Sequence, residues 1–410
     1  MFSIAPMIYS SSFIEVKLFT SLSSFFKSVI VLTIWLSSLA SAIMIVMFKN
    51  IDENSLNISR FLPISKFEFF KIIILKQSYF SLFTCFVLIF MMAFMQEDVA
   101  SFFGYRTYAE EFLSRIILME RFESTLVYAS PFALVAMFSA ILLYFILKKN
   151  SWKPSQDQIS PLNNLNIITY EKAPYIVVFV FSLISFFLLV KLVLKVDFLQ
   201  FGTLVDENIS VVLNSFFLSI LASFIATVLS VYLVDYFKNS PSKMIFLIAF
   251  FSLYWFLPSS LVGLTLVKLS QQFYINYEIF EYIMLVYGYV LKVLPLGMML
   301  MLILSQQKNS SHIFKFVKLS KQSVFLKIVF PMQWRAWFIV FIVLFLLLLN
   351  EITTTVLLVP AGFETIIVKI YNLMHYGDYE TVAFLSLLQI SLIMLGLFTL
   401  VIMRGFNDKA

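Results

Sequence analysis

The stretch that decides the fold is residues 336–358, which read AWFIVFIVLFLLLLNEITTTVLL. About 20 consecutive apolar residues cross a bilayer as a helix, and this stretch carries a single charge, Glu351. Similar apolar runs occupy approximately 27–48, 74–95, 125–147, 174–195, 209–234, 244–268, 279–305 and 381–403. The sequence therefore predicts an all-α, polytopic transmembrane protein of about nine spans.

The composition of the whole chain also points to lipid as the solvent. Of its 410 residues 61% are hydrophobic and 13% are charged, and the mean hydropathy is +0.95. In a soluble domain about a quarter of the residues are charged, so a soluble enzyme and a disordered protein are excluded. The net charge of +6 lies in loops between apolar runs. We attribute it to membrane orientation and expect no nucleic-acid partner.

The charges of the loops predict which side of the membrane each loop occupies. Bases concentrate in the loops 49–73, 148–173, 235–243 and 306–335, and in the tail. The positive-inside rule places these segments in the cytoplasm. Acidic residues concentrate in the loops 96–124 and 196–208, which are then external. We therefore expect a cytoplasmic C-terminus and an external N-terminus.

Two parts of the chain resemble each other in sequence. The segment 59–76 (SRFLPISKFEFFKIIILK) matches 314–331 (FKFVKLSKQSVFLKIVFP) at an offset of 255 residues. Farther along, a Gly-aromatic-x-Thr motif recurs at 104–107 and 362–365. An aromatic-Glu-hydroxyl triplet recurs later, at 122–124 and at 379–381, and the last span of each copy follows it. Because both copies follow the order basic loop, span, outer loop, span, we predict two parallel repeats, as in two-fold transporters.

The repeat divides the chain into two unequal halves. The first half, 1–148, holds three spans, and the second half, 174–410, holds six. Between them lies a polar cytoplasmic linker over 149–173. A symmetric parent would hold six spans in each half, so we expect the first half to be incomplete.

These segments resemble the permease subunits of bacterial ABC importers with fused halves, the ferric-iron type in particular. The best match is 350–365 (NEITTTVLLVPAGFET), which is similar to the family's Glu-Leu-Pro-x-Thr-Leu-Leu-Leu…Pro-x-Gly-Phe-x-Thr segment. Its first-half counterpart is 102–108 (FFGYRTY). In each half the family carries a cytoplasmic coupling loop that docks on the ATPase, which corresponds here to 57–76 and 312–331.

The coupling loops depart from the family's signature of Glu-Ala-Ala-x-x-x-Gly followed by Ile-x-Leu-Pro. The second loop has Lys318 at the glycine position and His312 at the glutamate position. By the resemblance, the candidate ATPase-coupling residues are Asn57, Ser59, Pro63, Ser65, Lys66, Phe70, His312, Phe316, Lys318, Ser320, Lys321, Phe325, Ile328 and Pro331. Their composition alone equally suits a basic surface helix resting on lipid headgroups.

The resemblance implies a type I ABC importer permease that lacks the first few spans of the family, in the inner membrane of a bacterium. A cytoplasmic ATPase dimer would supply ATP hydrolysis, and a periplasmic or extracellular binding protein would deliver the substrate. Ferric iron is expected first, with thiamine, phosphonate or polyamine as alternatives. The chain has no GxxxxGK[ST] loop, no Ser/His/Asp set and only two distant histidines, so we expect no enzyme, bound cofactor or metal site.

Polar residues in or beside the apolar runs are candidates for the translocation path or outer gate. They are Glu351, Thr354, Thr355, Gly362, Thr365, Gly104 and Thr107. A carboxylate at membrane depth is unfavourable unless it faces a cavity or a partner, which singles out Glu351. Lys292 is either a path residue or one that pairs or snorkels. Pro258 and Pro295 are expected to kink their helices.

Two other functions stay open. An ion-coupled secondary carrier would need no ATPase, and such carriers usually show several intramembrane carboxylates or broken helices near the middle of the membrane. A truncated permease with impaired transport would also retain these motifs.

Overall fold

The computed structural model describes most of the predicted apolar runs. The described residues are 21–48, 68, 71, 76–94, 96, 98–109, 111–112, 114, 122–149, 183, 186–187, 189–197, 201–237, 240–272, 278–305 and 333–405. They are nearly all helical and contain no strand. All the candidate ATPase-coupling residues lie outside them, as does the linker 149–173 apart from Lys149.

The helices follow one another along the chain with bounds close to the predicted runs. They are α1 (Ser24–Phe48), α2 (Lys76–Phe94), α3 (Asp98–Phe102), α4 (Phe122–Lys149), α5 (Phe201–Phe237), α6 (Pro241–Phe256), α7 (Ser259–Gln272), α8 (Glu278–Ser305), α9 (Trp334–Leu348), α10 (Thr353–Leu358), α11 (Ile366–Tyr376) and α12 (Tyr379–Gly405). The chain groups into two compact units, one of Met1–Thr107 with Asn150–Leu194 and the other of Tyr108–Lys149 with Lys195–Ala410.

In the first unit, α1 packs against α2 and α3. Val31 and Leu36 of α1 are buried, and so is Cys85 of α2, whose thiol lies 3.9 Å from the carbonyl oxygen of Ala40. The helices α1 and α2 are apolar on all sides, so they have no amphipathic stripe that would decide which of their faces is buried.

The second unit is organised around α5, which packs against both α8 and α9. Its buried face is formed largely by small residues, among them Ser215, Ser219, Ala222, Ser223, Ala226, Thr227 and Ser230. Small side chains let helix backbones approach closely. On α8, a Cβ added to Gly297 would collide with Ser230 Oγ and lie 3.1 Å from Leu344 Cδ1. The two helices therefore meet in close contact at Gly297.

The run predicted as one span over 244–268 is a broken helix. It forms α6 and α7, which are bent by 92° at Leu257 and Pro258. Leu257 is extended, with φ −90° and ψ 143°, as expected for a residue that precedes proline. The Pro258 carbonyl then accepts from the N–H groups of Leu261 and Val262 and starts α7. The expected kink at Pro258 is confirmed, whereas Pro295 lies inside the continuous α8.

The run predicted over 336–358 is also interrupted. It forms α9 and the short α10, separated by Leu349 to Ile352. In the break, the N–H of Asn350 donates to Leu347 O at 3.1 Å and that of Glu351 to Leu348 O at 3.2 Å. These tighter bonds end α9 in the way that last turns often end. Glu351 therefore lies between two helices, not within one.

Among the residues that the structure describes, three helices, α5, α8 and α12, are long and apolar enough to cross a membrane. The number is four if the bent pair α6–α7 counts as one span. Shorter apolar helices accompany them in the described part of the chain. The structure is thus that of a helical membrane protein, and the number of nine spans stays a prediction. Both predicted outer loops are partly helical: α3 lies within 96–124, and α5 begins at Phe201, within 196–208.

Candidate functional site

Lys292 lies at the centre of the candidate site, in the middle of α8. Its Nζ donates a hydrogen bond to Ser259 Oγ and another to Glu351 Oε2, the latter at 2.5 Å. Ser259 is the first residue of α7 after one helix break, and Glu351 lies in the other break. One lysine of an unbroken helix therefore joins the two broken helices.

The carboxylate of Glu351 has partners on both oxygens. Oε2 accepts from Lys292, while Oε1 accepts from Thr354 Oγ1 at 2.7 Å and from the Thr354 N–H at 3.3 Å. The first turn of a helix has unpaired N–H groups that favour negative charge, so the start of α10 suits this carboxylate. The Glu351 side chain is 11% exposed and that of Lys292 is 25% exposed. Pairing offsets much of the desolvation of both charges.

A buried hydrogen bond fixes α10 to α8 one turn before Lys292. Tyr289 Oη lies 2.5 Å from Thr355 Oγ1. The Thr355 hydroxyl also donates to the carbonyl oxygen of Glu351 at 2.7 Å, so Tyr289 is the donor to Thr355. Both side chains are almost fully buried. The Glu351 backbone is therefore held by the same two helices that hold its side chain.

Two glycines bring α7, α8 and α10 into close contact. A Cβ on Gly288 of α8 would lie 3.0 Å from Leu358 Cδ1 and 3.1 Å from both Leu266 Cδ1 and Thr354 Cγ2. A Cβ on Gly263 of α7 would lie 2.7 Å from Leu357 Cδ1. The segments that follow the two breaks consequently pack on each other and on α8.

Gln389 of α12 holds the end of α9. Its Nε2 donates to Leu349 O at 3.0 Å and to Asn350 Oδ1 at 2.9 Å, and Gln389 is fully buried. The last carbonyls of a helix have no partner inside the helix. A side-chain amide from a neighbouring helix therefore stabilises the break beside Glu351.

The structure brings together some of the predicted path residues. Glu351, Thr354 and Thr355 form one cluster with Lys292, in which the two charges pair with each other. Thr365 directly precedes α11. The N–H of Ile366, the first residue of α11, donates to Ser215 Oγ of α5 at 2.6 Å.

The glycines of the predicted gate have a local role. Gly104 and Gly362 adopt positive φ values of 69° and 82°, and a Cβ added to either would have no neighbouring atom within 4 Å, which suits exposed turns. Thr107 follows the first of these turns, in the first unit.

Sequence reasoning missed Ser259, Tyr289 and Gln389. Ser259 directly follows Pro258, the residue that was expected to kink its helix. Tyr289 lies three residues before Lys292, on the same face of a helix. Gln389 is a lone amide in the apolar run 381–403, and such residues often bond to a neighbouring helix.

This cluster is an ion pair with a hydroxyl on each side, in a surrounding of apolar helices. In the described residues, no group of three His, Cys, Asp or Glu side chains is placed to hold a metal ion. The arrangement offers one cation, one carboxylate and several hydroxyl groups at the meeting point of two helix breaks.

No family model, no curated protein and no solved structure matches this chain.

Proposed function

We propose that this protein is the membrane-spanning permease subunit of an ABC importer, driven by a separate ATPase dimer. The observation that carries the proposal is a helix order that occurs twice. A long helix, a second apolar helix, a short helix, a glycine turn and a final long helix form the series α1, α2, α3, α4. The series α8, α9, α10, α12 has the same order, with α11 before its last member.

Corresponding points of the two series lie at a nearly constant distance along the chain. The glycine turns lie at Gly104 and at Gly362, which are 258 residues apart (104 to 362). The last helix of each series contains an aromatic-Glu-hydroxyl triplet, which begins at Phe122 and at Tyr379, 257 residues apart (122 to 379). Sequence and backbone therefore support the same pairing.

The turns between these helices agree as well. Gly104 and Gly362 both adopt positive φ, each two or more residues after a short helix. Between α2 and α3, the Gln96 N–H donates to Ala93 O at 3.3 Å, three residues earlier in the chain. Between α9 and α10, the Glu351 N–H donates in the same way to Leu348 O at 3.2 Å. Within its own unit, α1 packs on α2 and α3, and α8 packs on α9 and α10. This supports two parallel repeats.

In this proposal, the basic loops 57–76 and 312–331 dock on the ATPase dimer at the cytoplasmic face of a bacterial inner membrane. An external binding protein delivers the substrate, with ferric iron first among the family's substrates. ATP-driven closure of the dimer moves the two repeats, and the solute passes the broken helices at Lys292 and Glu351.

Co-purification of the chain with an ABC ATPase from the cells that make it tests the proposal. The double variant Phe70→Asp with Phe325→Asp places a charge at matched positions of both loops and is expected to abolish the complex. Asn309→Asp adds the same charge just before the docking loop 312–331 and should leave the complex intact. If the unchanged chain never retains an ATPase, or if the double variant retains it fully, the importer proposal is wrong.

The second candidate, an ion-coupled secondary carrier, is favoured by one observation. Two broken helices meet at a charged pair, an arrangement that secondary transporters use for their substrate and ion sites. Reconstitution in liposomes separates the candidates. Uptake driven by an ion gradient without ATPase would favour the carrier, and uptake that requires the ATPase and ATP would favour the importer.

A further inference from the structure

Lysine is the more accessible member of the charged pair. The Lys292 side chain is 25% exposed and that of Glu351 is 11% exposed. An ammonium carries three N–H donors, and in the described part of the chain Nζ has two acceptors, Ser259 Oγ and Glu351 Oε2. Both oxygens of Glu351 already accept hydrogen bonds. A solute that reaches the cluster therefore meets an ammonium first.

The helices around the pair carry few other charges. In α7 the one charged residue is Lys268, which is exposed, and in α9 and α10 it is Arg335, near the start of α9. The charges of α5 lie near its two ends, at Asp206, Glu207 and Asp235. Glu351 is thus the carboxylate that neutralises Lys292, and it stands where an external anion would bind.

We propose that Lys292 binds an oxyanionic group of the transported solute, and that Glu351 is the internal carboxylate that occupies Lys292 until the solute arrives. The ligand class is a carboxylate or phosphate anion, including a metal chelate that bears such oxygens. This inference rests on the proposed transport function and narrows its substrate. A ferric ion would pass as an anionic chelate and not as a bare cation.

A bare cation does not fit the cluster. A bare metal cation such as the ferric ion needs several oxygen or nitrogen ligands. The described residues place no group of three His, Cys, Asp or Glu side chains together. The lysine ammonium also repels a cation at short range. An anion gains the charge of Lys292 and the hydroxyl of Ser259 beside it.

Replacement of Glu351 by the solute anion at Lys292 leaves each charged group with a partner. When Lys292 moves to the solute, Glu351 keeps both hydrogen bonds from Thr354, and Lys292 keeps Ser259. Hydrogen bonds to a buried charge limit the penalty of separating an ion pair. Glu351 is tethered beside Lys292, so it competes at high effective concentration. Removing this competitor should strengthen the binding of an external anion.

The test is the binding of citrate and of inorganic phosphate to the purified full chain in detergent, with sodium chloride of equal sodium concentration as reference. A ligand of the folded state raises the unfolding temperature with its concentration. We expect such a rise for the unchanged chain. Glu351→Gln should bind the better of the two anions roughly tenfold more tightly, which corresponds to about 1.4 kcal/mol. Lys292→Met should show no rise.

Two further variants serve as controls. Lys268→Met removes an exposed lysine of α7 and should behave as the unchanged chain. The double variant Lys292→Gln with Glu351→Gln contains no buried charge, so it reports on anion binding even if Lys292→Met fails to fold, and it should not respond. A structural role alone would make Glu351→Gln and Lys292→Met equally unresponsive.

The inference is overturned if neither anion raises the unfolding temperature of the unchanged chain or of Glu351→Gln. It is also overturned if the double variant responds as the unchanged chain does. These outcomes are independent of the ATPase complex. A chain that binds citrate through Lys292 but retains no ATPase keeps this anion site and loses the importer proposal.

Discussion

Removing one member of the Lys292–Glu351 pair is expected to destabilise the protein more than removing both. Lys292→Met leaves a carboxylate that is 11% exposed without its cation. Breaking a buried pair in this way typically costs about 3–5 kcal/mol of unfolding free energy. Because the lysine is 25% exposed and Thr354 still donates twice to Glu351, we expect the lower end, about 3 kcal/mol.

The reverse change and the double change complete the measurement. Glu351→Gln leaves the ammonium with Ser259 as its acceptor and should be about equally destabilising. Lys292→Met with Glu351→Gln removes both charges, and replacing a whole buried pair by neutral groups is often close to neutral. We therefore expect a coupling free energy of about 2 kcal/mol or more between the two positions.

Equilibrium unfolding in mixed micelles gives the four free energies of this double-mutant cycle. Lys268→Met is the matched control, since it removes an exposed lysine of α7 and should change the free energy of unfolding by less than about 0.5 kcal/mol. Single effects that add within about 0.5 kcal/mol would refute the reasoning, because they would mean that the two charges do not interact in the folded protein.

Gly263→Ala should destabilise the protein by about 1 kcal/mol, because overpacking against Leu357 exceeds the gain in helix propensity. At Gly202 an added Cβ would have no neighbouring atom within 4 Å, so Gly202→Ala should stabilise the protein by up to about 1 kcal/mol. Thermal unfolding compares the two, and equal effects would contradict the close contact. Gln389→Leu should lower the unfolding free energy by about 1–3 kcal/mol by leaving the Leu349 carbonyl unpaired. In Gln389→Leu, amide hydrogen exchange should increase most around the break between α9 and α10. An equal increase along the whole chain would contradict the role of Gln389 in stabilising this break.

The sequence predicted most of the helices and both charges of the site, but not that these charges form a pair. Apolar runs of about 20 residues are a strong signal, and ionisable residues inside them are few enough to be noticed one by one. Lys292 and Glu351 lie 59 residues apart in the chain. Their meeting depends on where two helices break, and a break is a local change in backbone that hydropathy does not report.

The two breaks differ in how visible they are in the sequence. The first break is indicated by Pro258, since proline removes a backbone donor and favours an extended conformation at Leu257. The second, at Leu349 to Ile352, has neither proline nor glycine. It is stabilised by Gln389 from another helix and by the bonds of Glu351 itself. Only the packed structure supplies those partners, which is why the run 336–358 was predicted as one continuous span.

The length of α5 has a mechanical consequence. At 37 residues it measures about 56 Å, more than the roughly 40–45 Å of a bilayer with its headgroups. A tilt of about 10° displaces one end of such a rod by about 10 Å relative to the other. Since α8 and α9 pack on it, a tilt of α5 would carry both helices, and with them the charged pair, in the same direction.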